Sequence, residues 1–212
     1  MNISSVSRKK AFLGNITTAV RNKAWELCQD YETILDVCCG NGLFFLHSKA
    51  KISEKRLIVG TDKSMELLRE AKKIFQDNSI EGISLIGGDA FQLPFKPETF
   101  DRVVCVNTLL NIASLDAIEA LLAELMRICK PNGRLLVEIR NQSNPYIRLK
   151  YWMHARRQKF PVRAYKVEDI SDIFKRHAFH CTRIFPVGCP IEFIAKAFLI
   201  EAGRINSHEI ID

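Results

Sequence analysis

The segment ILDVCCGNG, residues 34–42, is the first part of the chain whose residue types could do chemistry. It is a β-rich apolar run that leads into a turn with Gly40 and Gly42, and glycine allows a ligand to approach where a Cβ would block it. About twenty residues later the run LIVG is followed by Thr61 and Asp62, and an acid at that distance can accept hydrogen bonds from the two hydroxyls of a ribose. Together these features predict a site for a nucleotide or a nucleoside.

The same turn distinguishes between two kinds of ligand. A dinucleotide motif leaves its helix N-terminus free for a pyrophosphate and usually carries a third glycine, whereas that position is Phe45 here. Asp36 also stands just before the turn, where a carboxylate disfavours a pyrophosphate and favours a cation. The residues therefore favour a nucleoside that carries positive charge over a nicotinamide dinucleotide.

At this point the chain resembles the class I S-adenosylmethionine-dependent methyltransferases of the small-molecule type. Four blocks carry the resemblance over residues 33–139, in the usual order and spacing: ILDVCCGNG, IVGTDKSMELLREAK, GGDAFQLPFKPETFDRVVCVNTLLNI and ELMRICKPNGRLLVEI. The resemblance implies S-adenosylmethionine as the cofactor. It implies that the methionine part lies on Asp36, Gly40 and Gly42, the ribose on Asp62, and the adenine on Asp89, Ala90 and Phe91, with Lys63 and Met65 flanking the adenine and Asn107 lining the pocket largely through its backbone.

Cys38 departs from this family pattern, because members usually have glycine there. Cysteine is small, so we expect a slightly narrower pocket with Cys38 still among the donor-binding residues. The departure also leaves open a non-catalytic protein that uses the same fold as a scaffold.

The elements that would position these residues alternate strands with helices, which is typical of an α/β protein with a doubly wound, mostly parallel, Rossmann-like sheet of the seven-stranded type and helices on both faces. The predicted strands are Thr33–Cys38, Arg56–Gly60, Ile83–Gly87, Arg102–Asn107, Gly133–Ile139 and His180–Val187. The predicted helices are Gly42–Lys49, Ser64–Asp77, Ser114–Cys129 and Val167–Arg176. For Pro190–Gly203 the spacing of Ile191, Ile194 and Phe198 favours a helix over an antiparallel edge strand.

Within one domain over residues 1–212, we expect an N-terminal helical cap at 10–31, a donor-binding core at 33–139, a basic lid at 140–166 and the rest of the sheet at 167–212. The chain has 31 basic and 24 acidic residues, a net charge of +7. The lid holds eight basic residues and no acid, so the remainder is close to neutral. Because an insertion after a strand's carboxyl end covers the ligand crevice, the lid is predicted to recognise the methyl acceptor.

Aromatic residues alternate with the basic ones in this lid, and the acceptor-contacting candidates are Tyr146, Tyr151, Trp152, Arg156 and Arg157. His154 is the candidate base for an acceptor that must lose a proton, against the alternative of an ordinary surface histidine. Three acceptors fit: a small phosphorylated or carboxylated metabolite, a polar lipid head group or lipid-linked glycan, and RNA. A small-molecule acceptor is favoured over RNA, because the segment after the fourth strand reads NTLL and no RNA-binding module is recognisable.

Composition excludes several other classes. With 47% hydrophobic and 26% charged residues, 10 Gly and 7 Pro, the chain is typical of a globular protein and not of a disordered or collagen-like one. No apolar run of spanning length and no secretion signal is recognisable. Seven cysteines without CxxC spacing predict reduced thiols in a cytoplasmic protein and no metal site.

Overall fold

A computed structural model describes residues 16–47, 56–157, 162–192 and 194–204, with the side chains of residue 47 and residues 154–157 left out of that description. The helices are α1 (Ile16–Glu26), α2 (Met65–Asp77), α3 (Leu115–Ile128), α4 (Pro145–Arg157) and α5 (Val167–Arg176), with short 3₁₀ turns at Phe45–His47 and Leu109–Asn111. The strands are β1 (Thr33–Val37), β2 (Leu57–Asp62), β3 (Ile83–Gly87), β4 (Phe100–Cys105), β5 (Cys129–Arg140), β6 (Phe179–Val187) and β7 (Ala197–Arg204).

The seven strands form one sheet in the order β3-β2-β1-β4-β5-β7-β6. The first five strands in this order are parallel, and β7 runs antiparallel to both of its neighbours. The order reverses direction between β1 and β4, so the crevice at the carboxyl ends of those two strands is where an open α/β sheet binds its ligand. The predicted fold class and all six predicted strands are confirmed, with ends shifted by a few residues.

The helix prediction for Pro190–Gly203 is wrong. Ala197–Arg204 form β7, which lies inside the sheet between β5 and β6 and is therefore not an edge strand either. Seven of its eight residues are buried, because it is covered on both faces, and such a strand reads as a nearly continuous apolar run without the alternation of an exposed strand. Ile191 and Ile194, which suggested the helical period, are exposed in the turn before it.

Ser64 and Ser114, the first residues of two predicted helices, cap the helices that follow them. The Ser64 hydroxyl accepts from the Leu67 amide at 3.3 Å, and the Ser114 hydroxyl accepts from the Ala117 amide at 3.2 Å. Each bond satisfies a donor that the first helical turn leaves without a partner. The helix predicted at Gly42–Lys49 is wrong over the described residues, where only the 3₁₀ turn is present; residues 48 and 49 lie outside them.

The sheet separates two apolar layers. One contains α3 and α5, with Leu121, Leu125, Ile170 and Phe174 packed on the sheet. The other contains α1 and α2, and within it Trp25 meets Phe44 edge to face at 5.4 Å between ring centroids. The predicted N-terminal helical cap is therefore present as α1, while residues 10–15 lie outside the described part.

Arg102 of β4 is fully buried near the amino ends of the parallel strands. It donates to Glu201 of β7 at 2.7 Å, and the same carboxylate accepts from Arg183 at 2.9 Å. A buried charge needs an oppositely charged partner, because an unpaired charge in the core lowers the free energy of unfolding. This pair therefore holds β7 in its place against the parallel part of the sheet.

Glu201→Gln should lower the free energy of unfolding by about 3 kcal/mol or more, because Arg102 would keep its charge in the core without a counter-ion. Glu98→Gln is the matched control, since Glu98 pairs with Arg204 at 2.8 Å where both side chains are at least one-third exposed. That pair should contribute at most about 1 kcal/mol. Urea unfolding followed by circular dichroism compares the two; equal losses would contradict the role given to Arg102.

Candidate functional site

The turn after β1 has a backbone that few residues adopt. Cys38, Gly40 and Gly42 have φ angles of +58°, +55° and +73°, in the left-handed region. At Gly42 an added Cβ would lie 2.7 Å from the ring of Phe75, so close packing on α2 as well as the φ angle requires glycine there. The Cys39 amide donates to the Thr61 carbonyl at 2.9 Å, which holds the turn against the end of β2.

Asp62, the last residue of β2, joins this turn to the start of α2. One of its oxygens accepts from the Gly40 amide at 2.8 Å and the other from the Ser64 amide at 2.9 Å. A carboxylate has about four acceptor positions, so two backbone bonds leave capacity for a ligand. The sequence signal for Asp62 was its distance from the glycine turn, and the structure adds that the two features are bonded to each other.

A cavity of about 450 Å³ opens at the carboxyl ends of β1, β2 and β4, and we call it the donor cavity. Seven of the predicted donor-binding residues line it: Asp36, Cys38, Gly40, Asp62, Ala90, Phe91 and Asn107. Residues that the sequence analysis missed also line it, among them Arg21, Asn41, Phe44, Thr108, Asn111 and Ile112. Most of these come from the loops after β1 and β4, next to residues that the motifs did identify.

Four predicted residues lie outside the lining of this cavity. Gly42 packs on α2, and Met65 is 54% exposed at the start of that helix. Lys63 and Asp89 pair with each other at 2.9 Å on the surface, and the hydrogen bond from Lys63 lowers the pKa of Asp89. Asp89 also accepts from the Phe91 amide at 3.0 Å, so its observed contacts position the Ala90–Phe91 turn that does line the cavity.

Asp36 gives the donor cavity a buried acid. It is 2% exposed, and burial raises the pKa of its carboxyl well above the ordinary value, while the charge of Arg21 acts in the opposite direction. Arg21 reaches the cavity from α1, and burial lowers its pKa. The sequence feature that could have indicated Arg21 is a basic residue among the apolar positions by which α1 packs on the core. A cationic ligand group beside Asp36 would favour the ionised carboxylate.

Asn107 is held at the cavity wall by a buried ion pair. Its backbone amide donates to Glu138 at 3.0 Å, its side-chain oxygen accepts from Arg140 at 2.7 Å, and Arg140 lies 2.9 Å from Glu138. These contacts fix a residue whose φ is +58°. Arg140 is the first of the eight basic residues of the predicted lid, and its expected place among charges without an acidic partner is wrong: Arg140 is 4% exposed and neutralised by Glu138.

A second cavity of about 790 Å³ lies beside α4, and we call it the lid cavity. Tyr151 and Trp152 are the predicted lid residues that line it, and Tyr146 is exposed elsewhere on the helix. The remaining lining residues are Leu115, Gln142, Arg148, Leu149, Val162, Arg163, Ala164, Tyr165 and Asp169. The side chains of His154, Arg156 and Arg157 lie outside the described part, so their roles stay predictions.

The lid is tied to the loop that follows β4. The Tyr165 hydroxyl donates to the Ile112 carbonyl, and the Arg163 amide donates to the Leu110 carbonyl at 2.8 Å. Ile112 lines the donor cavity, whereas Tyr165 and Arg163 line the lid cavity. The loop after β4 therefore connects the walls of the two cavities.

The sheet order β3-β2-β1-β4-β5-β7-β6, with a glycine turn after β1 and an acid at the end of β2, fits a class I methyltransferase fold, and the comparisons agree. A family model described as a methyltransferase domain matches residues 34–133. The magnesium protoporphyrin IX methyltransferase of Synechocystis PCC 6803, solved with bound SAH, superposes with a TM-score of 0.69 at 18% identity, over 90% of this chain and 83% of that one. An S-adenosylmethionine-dependent methyltransferase from Clostridium acetobutylicum gives 0.68 at 16% identity, over 90% and 92%.

Two curated relatives are named for a specific methyltransferase reaction. A demethylmenaquinone methyltransferase of Oceanobacillus iheyensis is 29% identical over 131 residues, which are 58% of this chain and 54% of that protein. A demethylmenaquinone methyltransferase of Bacillus cereus is 28% identical over 138 residues, 62% of this chain and 57% of that protein. The chain thus spans little more than half the length of these relatives. Residues 34–133 therefore match a methyltransferase domain, and the fold is that of the class I methyltransferases, a class whose cofactor is S-adenosylmethionine.

Cys38→Gly should leave stability unchanged or raise it by up to about 1 kcal/mol, because glycine adopts the left-handed backbone without the cost that a Cβ brings. Cys39→Gly is the matched control: Cys39 is 9% exposed and has no left-handed φ, so it should lose about 1–2 kcal/mol through lost packing and added chain freedom. Thermal melting of the two variants measures the difference. A Cys38 variant as unstable as the Cys39 variant would show that the thiol is needed for packing.

Proposed function

We propose that this protein transfers the methyl group of S-adenosylmethionine to a small polar or anionic acceptor. The observation that carries the proposal is the donor cavity, where two carboxylates, Asp36 and Asp62, stand at the ends of adjacent strands beside a glycine turn. This set fits the cofactor, because the positively charged ammonium and sulfonium groups would favour the ionised form of the buried Asp36 carboxyl, and Asp62 keeps acceptor capacity for ribose hydroxyls. When bound, the cofactor supplies a methyl group on a good leaving group.

The residues of the chain then have to hold two reactants in line and keep water out, since a sulfonium needs little further activation. Asp62 orients the ribose while staying fixed by Gly40 and Ser64, and the half-exposed Phe91 covers the adenine. Asn107 presents its backbone to the transfer region and is held there by Glu138 and Arg140. His154 remains the proposed base where the acceptor must lose a proton.

The lid cavity is proposed to receive the acceptor. Its wall combines Arg148 and Arg163, which suit a carboxylate or phosphate, with the apolar surfaces of Trp152 and Tyr165. Burial raises the pKa of Tyr151 to about 12, so this phenol stays a neutral hydrogen-bonding group at physiological pH. The demethylmenaquinone methyltransferases among the relatives support a small molecule over RNA. RNA remains the second candidate, because Trp152 is exposed among basic residues.

S-adenosylmethionine or its demethylated product should raise the melting temperature of the folded protein. Ligand at about a hundred times its dissociation constant stabilises by roughly 2.7 kcal/mol, which is about 5–10 °C for a domain of this size. Asp62→Asn should weaken the ligand at least tenfold, because one charged acceptor of the ribose is lost. Glu66→Gln, a neighbouring exposed acid in the first turn of α2, is the control and should bind normally.

Isothermal titration with the same ligand gives the affinities. An unmoved melting curve and no heat at millimolar ligand would leave a non-catalytic scaffold as the better account. Equal affinity of the Asp62 and Glu66 variants would return Asp62 to the role of a backbone anchor. NAD is a further control, because the donor cavity should not bind its pyrophosphate next to Asp36.

Arg163→Gln should raise the Michaelis constant of an anionic acceptor about tenfold, because a hydrogen bond to a charged group is lost, while donor affinity stays within about twofold. The acceptor is first found by screening carboxylated and phosphorylated metabolites for release of the demethylated cofactor. Lys96→Gln, an exposed residue outside both cavity linings, is the control for a lost positive charge. Loss of donor binding in the Arg163 variant would show that the lid supports the donor cavity instead.

A further inference from the structure

Several large apolar side chains lie exposed on α4. Its inner side is occupied by Ile147, which is 2% exposed, and by the half-buried Tyr151. Four large residues are turned outward, with exposed fractions between 40% and 54%: Tyr146, Leu149, Trp152 and Met153. Since a surface helix normally places polar residues on its outer side, this exposed apolar surface favours contact with a partner, and Leu149 and Trp152 belong at the same time to the wall of the lid cavity.

Two more exposed apolar residues lie next to the start of this helix. Ile191 and Ile194, 58% and 49% exposed, belong to the turn before β7. The side-chain amide of Asn144, which is 4% exposed, donates to the Ile194 carbonyl at 2.8 Å and so ties this turn to the first residues of α4. We call the six residues, Tyr146, Leu149, Trp152, Met153, Ile191 and Ile194, the docking face.

The charges around the docking face are mostly positive. Arg148 and Lys150 are exposed on the same helix, and residues 140–166 contain no acid. Within the described part, Arg140 is the basic residue of this segment that a buried carboxylate neutralises. Among the acids close in sequence, Glu192 and Glu168 are exposed, and Asp169 is half-buried with its carboxylate accepting from the Lys166 amide at the start of α5.

We propose that the docking face places the protein on the surface of an anionic lipid bilayer, a function beyond methyl transfer itself. Helices that lie in a bilayer interface combine aliphatic and aromatic residues with Lys and Arg, and each basic residue near an anionic surface strengthens attachment. Trp and Tyr are the aromatic residues preferred at that depth. None of the described helices has the length and hydrophobicity that a bilayer span requires.

The composition of the docking face favours lipid over two other occupants. Nucleic acid bases stack on aromatic rings, whereas Leu149, Met153, Ile191 and Ile194 are aliphatic. A second copy of the chain would bring the same positive charges of Arg148 and Lys150 against each other, which opposes association. An anionic lipid surface offers both an apolar interior for the aliphatic side chains and negative charge for the basic ones.

The chain contains its own reporter. It has two tryptophans: Trp25 is 8% exposed in the core, whereas Trp152 is 53% exposed on the docking face. Titration of the full chain with phosphatidylglycerol–phosphatidylcholine vesicles should shift the tryptophan emission to shorter wavelength, and the protein should sediment with them. Phosphatidylcholine vesicles alone should bind at least tenfold more weakly. Trp152→Phe should abolish the spectral shift and still sediment with the anionic vesicles.

Variants test which residues attach the protein. Leu149→Gln with Met153→Gln, and separately Arg148→Gln with Lys150→Gln, should each weaken vesicle binding about tenfold or more. The controls are Leu57→Gln, which changes an exposed apolar residue at the amino end of β2, and Lys72→Gln with Lys73→Gln, which changes exposed charges on α2. These should bind as the unchanged chain does. Melting curves identify any variant that fails to fold. If a variant does not fold, the shift of Trp152 emission in the unchanged chain on adding anionic vesicles tests the proposal instead.

Three results would overturn the proposal. The first is no spectral shift and no sedimentation of the unchanged chain with anionic vesicles. The second is equal weakening by the docking-face variants and by the controls. The third is a dimer in analytical ultracentrifugation, or a complex with single-stranded RNA, that the Leu149 and Met153 changes abolish while vesicle binding persists. Because none of these measurements uses S-adenosylmethionine, they are independent of the proposed methyl transfer.

Discussion

The hydrogen bond between the Gly40 amide and the Asp62 carboxylate is the contact on which the candidate site depends. It joins the turn after β1 to the last residue of β2, and the same carboxylate accepts from Ser64 where α2 begins. The carboxyl ends of parallel strands lie at one edge of the sheet. The chain reverses direction there, and its backbone amides and carbonyls need hydrogen-bond partners. Asp62 satisfies two of them, and the donor cavity is the space that the resulting turn leaves open.

Buried charges serve different purposes at the two ends of the sheet. Arg102 and Glu201 pair at the amino ends of the parallel strands, away from the donor cavity, and join β4 to β7 through the core. Glu138 and Arg140 pair at the opposite end and hold Asn107 at the cavity wall. An ion pair inside a protein contributes little net stability, since desolvation offsets most of its attraction. The second pair is therefore better explained by the geometry it imposes on Asn107.

The sequence predicted those parts of the site that depend on residues close together in the chain. Asp36, Gly40 and Asp62 belong to two successive strand ends, so their spacing indicated a nucleoside site, and the resemblance to methyltransferases assigned the role of each residue. Arg21 was missed because its position near Asp36 depends on how α1 packs on the sheet. That packing is a tertiary contact, which the local sequence pattern does not determine. β7 was mistaken for a helix for a related reason: a strand covered on both faces loses the alternation that identifies strands.

The neutralisation of Arg140 changes what the basic lid can do. One of its positive charges is enclosed with Glu138, so the charge that faces solvent comes from residues further along, such as Arg148, Lys150 and Arg163. Arg148 and Arg163 line the lid cavity, while Lys150 lies outside its lining. Exposed charges act over about 10 Å at 0.1 M salt, and a charge at a cavity wall acts on the ligand directly. Under the two proposals, the lid has charges that would select an anionic acceptor and charges that would attract the whole protein to a negative surface, with Arg148 contributing to both.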